Sequence, residues 1–340
     1  MKAVAFRRNL PVEHPEALED LTLPEPVPGT RDLLVRVAAI SVNPVDYKIR
    51  QNRKPAEGKV EVLGWDAVGI VEGVGSDVSR FKVGDRVYYA GAINRPGANS
   101  ELHVVDERIA SRAPTTLNDS DAAALPLTTI TAYELLFDRL RVEKGGGAGK
   151  TILVVGGAGG VGSILIQLAR QLTGLRIIAT ASRPETRKWC LDLGAHAVID
   201  HNLPLAGALK AAGVDQVDYV ASLTQTAQHF EQLVEVLKPQ GALGVIDEAV
   251  GIDSTKLMSK SISLHRELMF TRSLYQTPDM DQQGQLLQWV AELVDQGRIR
   301  TTAHTHLGTI NAANLRKAHA LLESGRAQGK TVLAGFSGKD

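Results

Sequence analysis

The stretch VVGGAGGVGS, residues 154–163, decides the fold of this chain. It joins the apolar run TILVV at 151–155 to SILIQLARQL at 163–172, whose apolar spacing predicts a helix. In a strand–turn–helix unit, glycines allow a tight turn, and the N–H groups and positive dipole end of the helix face an anion. This context predicts a dinucleotide-binding loop that contains Gly157, Ala158, Gly159, Gly160 and Val161.

The glycines of this loop have separate predicted tasks. Gly157 and Gly160 allow the backbone to turn tightly and to approach a diphosphate, whereas Gly162 lets the helix pack close to the strand. The alternative interpretation is a structural glycine turn in an α/β sheet that binds no ligand. The position of the loop between a buried strand and an amphipathic helix favours the binding loop.

Strand and helix patterns alternate after this loop. The strand runs are apolar without polar alternation, which is typical of strands covered on both faces in a parallel doubly wound sheet. The predicted strands are RIIATA (176–181), AVID (197–200), VDYVASL (217–223) and ALGVID (242–247), and the predicted helices are PETRKWCLDL (184–193) and HFEQLVEVL (229–237).

The N-terminal part of the chain has a different pattern. Short strands separated by Gly and Pro predict an irregular antiparallel barrel with little helix, and they lie at Lys2–Arg7, Leu33–Ala39, Val68–Val74 and Asp85–Ala90. An Ala- and Leu-rich segment begins near Ser120 and predicts a helix broken at Pro126. At the other end, helices are predicted at 285–296 and 312–323, followed by a strand from Lys330.

Composition excludes several classes of protein. The 340 residues suggest two domains at about 150 residues each. The 38 basic and 38 acidic residues cancel, which argues against nucleic acid or a membrane surface as the main partner. A single cysteine, Cys190, excludes a disulfide framework, and the N-terminus has no apolar signal core. We expect a cytoplasmic protein without membrane spans.

The residues after the second predicted strand of the nucleotide-binding region indicate which dinucleotide binds. An NAD site usually carries Asp or Glu there to accept from the ribose 2′-hydroxyl. This chain has Ser182 and Arg183 instead, with Arg187 four residues further on. Because a hydroxyl and guanidinium groups bind a 2′-phosphate that a carboxylate repels, NADPH is the predicted cofactor. The alternative is that these arginines are ordinary surface residues.

Four motifs occur in an order that resembles the medium-chain dehydrogenase/reductase superfamily. They are SVNPVD (41–46), GWDAVGIVEGVGSDVSRFKVGDRV (64–87), AAALPLTTITAYELL (122–136) and GGAGGVGS (156–163). The resemblance runs nearly end to end. It is closest to the quinone oxidoreductase-like members, including those called zinc-type alcohol dehydrogenase-like.

This resemblance implies an α/β architecture of two domains. Residues 1–124 and 272–340 would form a GroES-like β-barrel catalytic domain, and residues 125–271 a Rossmann domain with a doubly wound parallel sheet. The active site would lie in the cleft between them. Residues 261–271 correspond to an edge strand that pairs across a dimer in related proteins, so the resemblance implies a homodimer.

The residues at the family's zinc positions are not zinc ligands. The resemblance places the first cysteine ligand at Asn43 and the His-Glu pair at Trp65 and Asp66. Zinc prefers thiolate and imidazole donors, which Asn43 and Trp65 do not supply. His304 and His306, in the string THTH, are interpreted as exposed rings on a strand or loop. We therefore expect no metal site.

Three residues are predicted to contact a substrate in the implied site. Asn43 would donate from its amide to a carbonyl, or it caps the loop before Pro44. Tyr47 would donate through its phenol or line the pocket, and Trp65 would form a pocket wall or part of the core.

Further residues are predicted to contact the cofactor. The resemblance places Thr131, and less favourably Thr128, near the nicotinamide, the alternative being caps of the following helix. His201 follows a strand and would approach the adenosine phosphate, or it is a solvated loop residue. The remaining candidates are Ser222 and Ile246 at the ends of later strands, and Lys330, which is otherwise a surface charge.

The predicted function is therefore NADPH-dependent, zinc-independent reduction of quinones or α,β-unsaturated carbonyls. Without a Lewis acid, hydride delivery to a conjugated acceptor needs less assistance than alcohol oxidation, because the negative charge delocalises. Two alternatives stay open: a zinc-dependent alcohol dehydrogenase with atypical ligands, and a non-catalytic NADPH-binding protein of the sensor or crystallin type.

Overall fold

The computed structural model describes residues 1–336 and divides the chain into two compact units. Unit 1 comprises Met1–Leu127 together with the chain from Phe270 onward, and unit 2 comprises Thr128–Met269. The sequence places the corresponding boundaries at 124/125 and 271/272. Within the described residues, no helix combines the length and apolarity that a membrane crossing requires.

The N-terminal part of unit 1 is mostly strands. Its elements are β1 (Lys2–Phe6), β2 (Glu19–Thr22), β3 (Asp32–Val42), α1 (Pro44–Asn52), β4 (Glu61–Val62), β5 (Ala67–Val74), β6 (Arg86–Tyr89), β7 (Leu102–Asp106), β8 (Ala110–Arg112) and α2 (Asp119–Ala123).

Helix α1 is the element that the sequence prediction missed in this region. Its start carries a clear signal, because Pro44 occupies the first helical turn and Asp46 stands three residues after Asn43. The Asp46 carboxylate accepts from the Asn43 backbone N–H at 2.6 Å, which is one half of a capping box. The segment N-P-x-D is therefore a helix start as well as a loop.

Unit 2 alternates strands and helices around a parallel sheet. Its elements are α3 (Pro126–Tyr133, which begins in unit 1), a π-helical segment (Glu134–Arg139), β9 (Thr151–Val155), α4 (Gly160–Leu172), β10 (Arg176–Thr180), α5 (Pro184–Asp192), β11 (Ala197–Ile199), α6 (Leu205–Ala211), β12 (Val217–Ser222), α7 (Thr226–Val236), β13 (Leu237–Val245) and β14 (Ser263–Arg266).

The strand order in unit 2 is β11-β10-β9-β12-β13-β14, and the pairs are parallel. The chain runs outward from β9 in one direction through β10 and β11, then returns to pair β12 on the other side of β9. This reversal confirms the predicted doubly wound sheet, and it places the crevice for a ligand at the carboxyl end of β9. The strand TILVV is buried along its whole length.

The C-terminal part of the chain returns to unit 1 with α8 (Thr271–Tyr275), α9 (Gln282–Asp295), β15 (Ala303–His306), α10 (Ala312–Glu323) and β16 (Lys330–Ala334). Strand β16 joins the large sheet of unit 1, whose order is β15-β16-β3-β5-β6-β8, with β7 also pairing β3. Only the resemblance implied this return, because nothing in the apolar pattern of β16 indicates its partner.

Two sheet registers in unit 1 bring distant polar residues together. Antiparallel pairing of β16 with β3 sets Thr331 opposite Val42, so Lys330 lies beside Asn43. Pairing of β3 with β5 sets Ile40 opposite Ala67, so Asp66 lies beside Ser41, whose N–H donates to the Asp66 carbonyl. Residues separated by up to 287 positions therefore meet at one place in this unit.

Candidate functional site

The glycine loop of unit 2 connects β9 to α4 in the predicted strand–turn–helix arrangement. Helix α4 begins at Gly160, and Ser163 N–H donates to Gly159 O as its first backbone bond. The N–H groups of Gly160, Val161 and Gly162 precede that bond and have no acceptor within the helix. Gly159, Gly160 and Val161 are partly exposed, so this helix N-terminus is open to an anion.

The structure assigns the glycine tasks differently from the sequence. Gly156 makes the turn, since its φ of 80° lies in the left-handed region, and the prediction did not include it. Gly157 packs against β10, because a Cβ there would lie 2.7 Å from the Ala179 Cβ. Helix α4 approaches the loop most closely at Gly162, where a Cβ would lie 2.4 Å from Gly156 O. Gly157 lies within the same turn, as predicted, and the packing task of Gly162 agrees with the structure.

The carboxyl end of β10 holds the start of this loop. Thr180 Oγ1 accepts from Gly156 N–H at 3.0 Å, and Thr180 O accepts from Gly157 N–H at 3.2 Å. Ser182 and Arg183 follow directly and are partly exposed, and Arg183 forms a 3.2 Å ion pair with Glu185. A hydroxyl and a guanidinium thus stand beside the glycine loop at the strand end where NAD-specific enzymes place a carboxylate.

Arg187 has a different environment from Arg183. Its guanidinium donates to Ala181 O at 3.3 Å and to Val198 O at 2.7 Å, which joins the ends of β10 and β11. These two bonds give Arg187 a structural role and use two of its five guanidinium N–H donors. The phosphate contacts of Arg183 and Arg187 both stay predictions.

The other predicted residues of unit 2 lie at the same edge of the sheet. Ser222 ends β12 and is buried, and its hydroxyl bonds to Thr226 Oγ1 at 2.8 Å. Ile246 follows β13, and its N–H lies 3.4 Å from Ser222 O. His201 follows β11 with its ring 6.2 Å from that of His229. The topology brings these residues to the carboxyl edge, as predicted for strand ends of a parallel sheet.

The same edge contains a polar residue that the sequence reasoning missed. Asp247 accepts from Thr226 N–H at 2.8 Å through Oδ2, while its buried Oδ1 has no partner in the described part of the chain. The signal was present, since Asp247 ends the quoted strand ALGVID.

Thr131 and Thr128 lie on α3 and are buried. They are interior residues of this helix, so the alternative interpretation as caps of a following helix is wrong. Thr131 is only 5% exposed.

Unit 1 contains a buried polar cluster of Asn43, Asp46, Asp66 and Lys330, none more than 3% exposed. Lys330 Nζ donates to Asp66 Oδ2 at 2.9 Å, to Val42 O at 3.1 Å, and to Asn43 Oδ1. Asn43 Nδ2 donates to Asp66 Oδ2 at 2.8 Å, and Leu127 N–H donates to Asp66 Oδ1 at 2.8 Å. Both carboxylate oxygens of Asp66 therefore accept hydrogen bonds.

The cluster is strongly affected by burial. Burial raises the pKa of Asp66, and the Lys330 ammonium and the Asn43 amide act against that rise. Burial also raises the pKa of Asp46 to about 7, despite the hydrogen bond from Asn43 N–H and the nearby ammonium. The ion pair therefore depends on its internal hydrogen bonds, because both side chains are buried.

This geometry corrects two predicted roles. The Asn43 amide donates to Asp66 and to Ser41 O, so it is not available to a substrate carbonyl. Lys330 is neither a surface charge nor directed at a cofactor, because its ammonium is buried against Asn43, Asp66 and the β3 backbone. Both residues hold unit 1 together at the junction of β3, β5 and β16.

The remaining predicted residues of unit 1 separate into core and partly exposed positions. Trp65 is 2% exposed, donates to Ala92 O at 3.1 Å and packs edge-on against Phe270 at 6.2 Å, which supports its alternative interpretation as a core residue. Tyr47 lies on α1 and is partly exposed. His304 and His306 are exposed on β15, as predicted.

The cluster in unit 1 does not fit a zinc ion. Its side chains offer amide and carboxylate oxygens, and the indole of Trp65 is already used in the core. The point that these oxygens face is filled by the Lys330 ammonium. Among residues 1–336, no group of three or more His, Cys, Asp or Glu side chains is arranged to hold a metal ion.

Two family models match this chain, and the second spans parts of both units. Residues 29–114 match the family model described as the alcohol dehydrogenase GroES-like domain, and residues 193–333 match the model described as zinc-binding dehydrogenase. A zinc-type alcohol dehydrogenase-like protein of Staphylococcus epidermidis is 38% identical over 339 residues, covering 98% of this chain and 99% of the relative.

Two other relatives carry names that state an activity. A quinone oxidoreductase of Pseudomonas aeruginosa is 34% identical and covers 94% of this chain and 96% of its own. A 2-methylene-furan-3-one reductase of Solanum lycopersicum is 31% identical, covering 88% of this chain and 71% of the relative.

Solved structures of dehydrogenases and quinone oxidoreductases are also similar to this chain over nearly its whole length. A putative zinc-dependent alcohol dehydrogenase from Rhizobium etli is 52% identical, with a TM-score of 0.95 over 99% of this chain and 98% of that one. Escherichia coli quinone oxidoreductase complexed with NADPH is 26% identical, with a TM-score of 0.83 over 98% and 100% of the two chains. This chain belongs to the medium-chain dehydrogenase/reductase superfamily, with a GroES-like domain and a Rossmann-type domain. The activities named for its relatives are those of oxidoreductases.

Proposed function

We propose that this protein is an NADPH-dependent reductase of quinones or α,β-unsaturated carbonyl compounds that works without zinc. The observation that carries the proposal is the open glycine loop with Ser182 and Arg183 beside it, at the positions after β10 where an NAD site usually carries Asp or Glu. The NADPH complex of the E. coli relative and the names of the Pseudomonas and tomato relatives support it.

The residues of unit 2 fit a dinucleotide diphosphate. A Cβ at Gly162 would meet the Gly156 carbonyl at 2.4 Å, so the helix reaches this close to the strand end only with glycine. The partly exposed backbone at Gly159, Gly160 and Val161 would hold the diphosphate through N–H groups, and Ser182 and Arg183 would hold the 2′-phosphate. When bound, the nicotinamide would supply a hydride, which is one proton with two electrons.

The chain's own residues would orient the acceptor and complete its protonation. Hydride addition to a conjugated acceptor places negative charge on a carbonyl oxygen, which a donor or a water molecule then protonates. Tyr47 is the predicted substrate residue that keeps a partly exposed position, so we assign it the hydrogen bond to that oxygen. Asn43 and Trp65 act in the fold of unit 1 instead.

The test is cofactor oxidation measured with NADPH and with NADH across quinones, enals, enones and simple ketones. We expect turnover of conjugated acceptors with NADPH, and little turnover of simple ketones. Tight NADPH binding without oxidation by any acceptor would favour the non-catalytic alternative. Alcohol oxidation that is lost on chelation and restored by zinc would favour the zinc-dependent alternative.

We also propose that the protein is a homodimer paired through β14. This strand is the last in the order β11-β10-β9-β12-β13-β14, and an unpaired edge is a template for another strand. Leu268, two residues beyond β14, is 52% exposed. Sedimentation equilibrium should give twice the chain mass, and a monomer at micromolar concentration would contradict the proposal.

A further inference from the structure

The buried cluster of unit 1 is an oxygen cage around a positive charge. Three oxygens surround Lys330 Nζ: Val42 O at 3.1 Å, Asp66 Oδ2 at 2.9 Å, and Asn43 Oδ1. Lys330 is 3% exposed and Asp66 is fully buried. Lysine is almost never this buried unless it is paired, so the cage is built to hold a cation.

The distances in the cage favour an ammonium group over a zinc ion. The N···O separations of 2.9 and 3.1 Å are those of hydrogen bonds. Zinc binds carboxylate oxygen at about 2.0–2.2 Å and prefers thiolate or imidazole donors. The cage has one backbone carbonyl, one amide oxygen and one carboxylate, which are hard donors that do not select zinc.

Strand pairing and hydrogen bonds position the three oxygens of this cage. Val42 is paired with Thr331 across β3 and β16, and Asn43 immediately precedes α1. Asp66 is held from its other side by the Leu127 N–H at 2.8 Å. The Val42 carbonyl is therefore fixed by the sheet, and hydrogen bonds hold the Asn43 and Asp66 side chains around the Lys330 ammonium.

We propose that the Lys330 ammonium is a built-in cation of this protein, and that its cage selects small ammonium-type cations over zinc. The metal implied by the names zinc-binding dehydrogenase and zinc-type alcohol dehydrogenase-like protein therefore has no place here. The zinc-content test also bears on the proposed zinc-independent activity, whereas the ammonium-recovery test measures stability alone and does not depend on that activity.

The first test uses the whole wild-type protein. After expression in zinc-supplemented medium, we expect less than about 0.1 zinc per chain and no change in the unfolding temperature on adding a chelator. About one zinc per chain, removed by chelation together with a fall in the unfolding temperature, would overturn the proposal.

The second test removes the built-in cation. Lys330→Ala leaves Asp66 buried without its partner and should lower the unfolding temperature by on the order of 10 °C. Methylammonium or ammonium chloride should recover part of this loss, whereas sodium chloride at equal ionic strength and zinc chloride should not. The matched control is Lys238→Ala, which removes a 3.0 Å ion pair with Asp218 whose lysine is 42% exposed; it should change little and show no recovery.

Zinc recovery that exceeds ammonium recovery would overturn the proposal, as would a Lys330→Ala variant no less stable than Lys238→Ala. Where Lys330→Ala does not fold, Asp66→Asn decides in its place, because it keeps the shape of the cage and removes its charge. It should lower the unfolding temperature well below that of the control Asp218→Asn, and equal losses would overturn the proposal.

Discussion

Polar groups cluster at two places in this protein, and the two clusters differ in whether their groups are buried or exposed. In unit 1, Asn43, Asp66 and Lys330 bond to one another and to the backbone, and their side chains are buried. At the carboxyl edge of unit 2, the backbone at 159–161 is partly exposed at a helix N-terminus. Buried polar groups that satisfy each other stabilise a fold, whereas open donors at a helix start are available to a ligand.

This difference explains why two sets of predicted site residues have different outcomes. Asn43 and Lys330 have the residue types of a site, but the sheet registers give their donors to other parts of unit 1. Ser182 and Arg183 have equally ordinary residue types, yet they follow the end of a parallel strand beside the glycine loop. Exposure beside the glycine loop therefore keeps Ser182 and Arg183 as candidate binding residues, whereas the donors of Asn43 and Lys330 are used within unit 1.

The largest expected effect comes from adding a single methyl group at Gly162, near the start of helix α4. Gly162→Ala places a Cβ 2.4 Å from Gly156 O and 2.6 Å from Gly157 O, so helix α4 must move away from the loop. We expect NADPH affinity to fall at least about 100-fold, since the N–H groups then miss the diphosphate. Fluorescence titration with NADPH measures this effect, and circular dichroism shows whether unit 2 is folded.

The matched control for that change is Gly207→Ala in helix α6. A Cβ at Gly207 meets no atom within 4 Å. This variant should bind NADPH normally and be slightly more stable, because alanine favours helix by up to about 1 kcal/mol over glycine. Gly162→Ala with an affinity within a few-fold of wild type would show that α4 does not define the cofactor site.

The glycine loop and the doubly wound sheet could be predicted from the sequence because their signals are local. A buried strand, a glycine turn and an amphipathic helix lie within residues 151–172. Even there, the sequence did not single out Gly156, since a string of glycines does not show which one has positive φ. The predicted helix Ala312–Glu323 matches α10 because its signal is also local.

The polar cluster of unit 1 could not be predicted, because it depends on long-range register. Lys330 and Asn43 are 287 residues apart, and only the pairing of β16 with β3 brings them together. A one-residue shift in that pairing would turn Lys330 to the other face of the sheet. Short apolar strands contain no information that fixes such a register.

Unit 2 also contains a cluster of charged side chains with buried carboxyl groups, which can be compared with the buried cluster of unit 1. Glu267, after β14, and Glu134, on the π-helical segment, are 5% and 1% exposed. Arg139 forms a 2.7 Å ion pair with Glu267. Burial and the neighbouring Glu134 carboxyl raise the pKa of Glu267 to about 8, although Arg139 acts in the opposite direction.

This pair should make stability depend on pH. Unfolded glutamate loses its proton near its ordinary pKa, whereas folded Glu267 keeps it up to about pH 8, so stability falls as pH rises between these values. Glu267→Gln mimics the protonated acid and should remove a slope of up to about 1.4 kcal/mol per pH unit. Denaturant unfolding from pH 5 to pH 8 measures it, with the exposed Glu292→Gln as control. Equal slopes in the wild type and Glu267→Gln would show that Glu267 is ionised throughout this range.

The smallest expected effect separates two arginines that the sequence treats alike. Arg183 stands beside the loop with a weakly held ion pair, whereas Arg187 donates to Ala181 O and Val198 O. Arg183→Ala should weaken NADPH binding about tenfold and leave NADH binding unchanged, because a charged hydrogen bond contributes about 1.5–3 kcal/mol. Arg187→Ala should lower stability and weaken both cofactors to a similar degree. Calorimetric titration of both variants with both cofactors measures the difference. A selective loss of NADPH binding in Arg187→Ala, with none in Arg183→Ala, would reverse the assignment and move the 2′-phosphate towards α5, since Arg187 lies inside that helix.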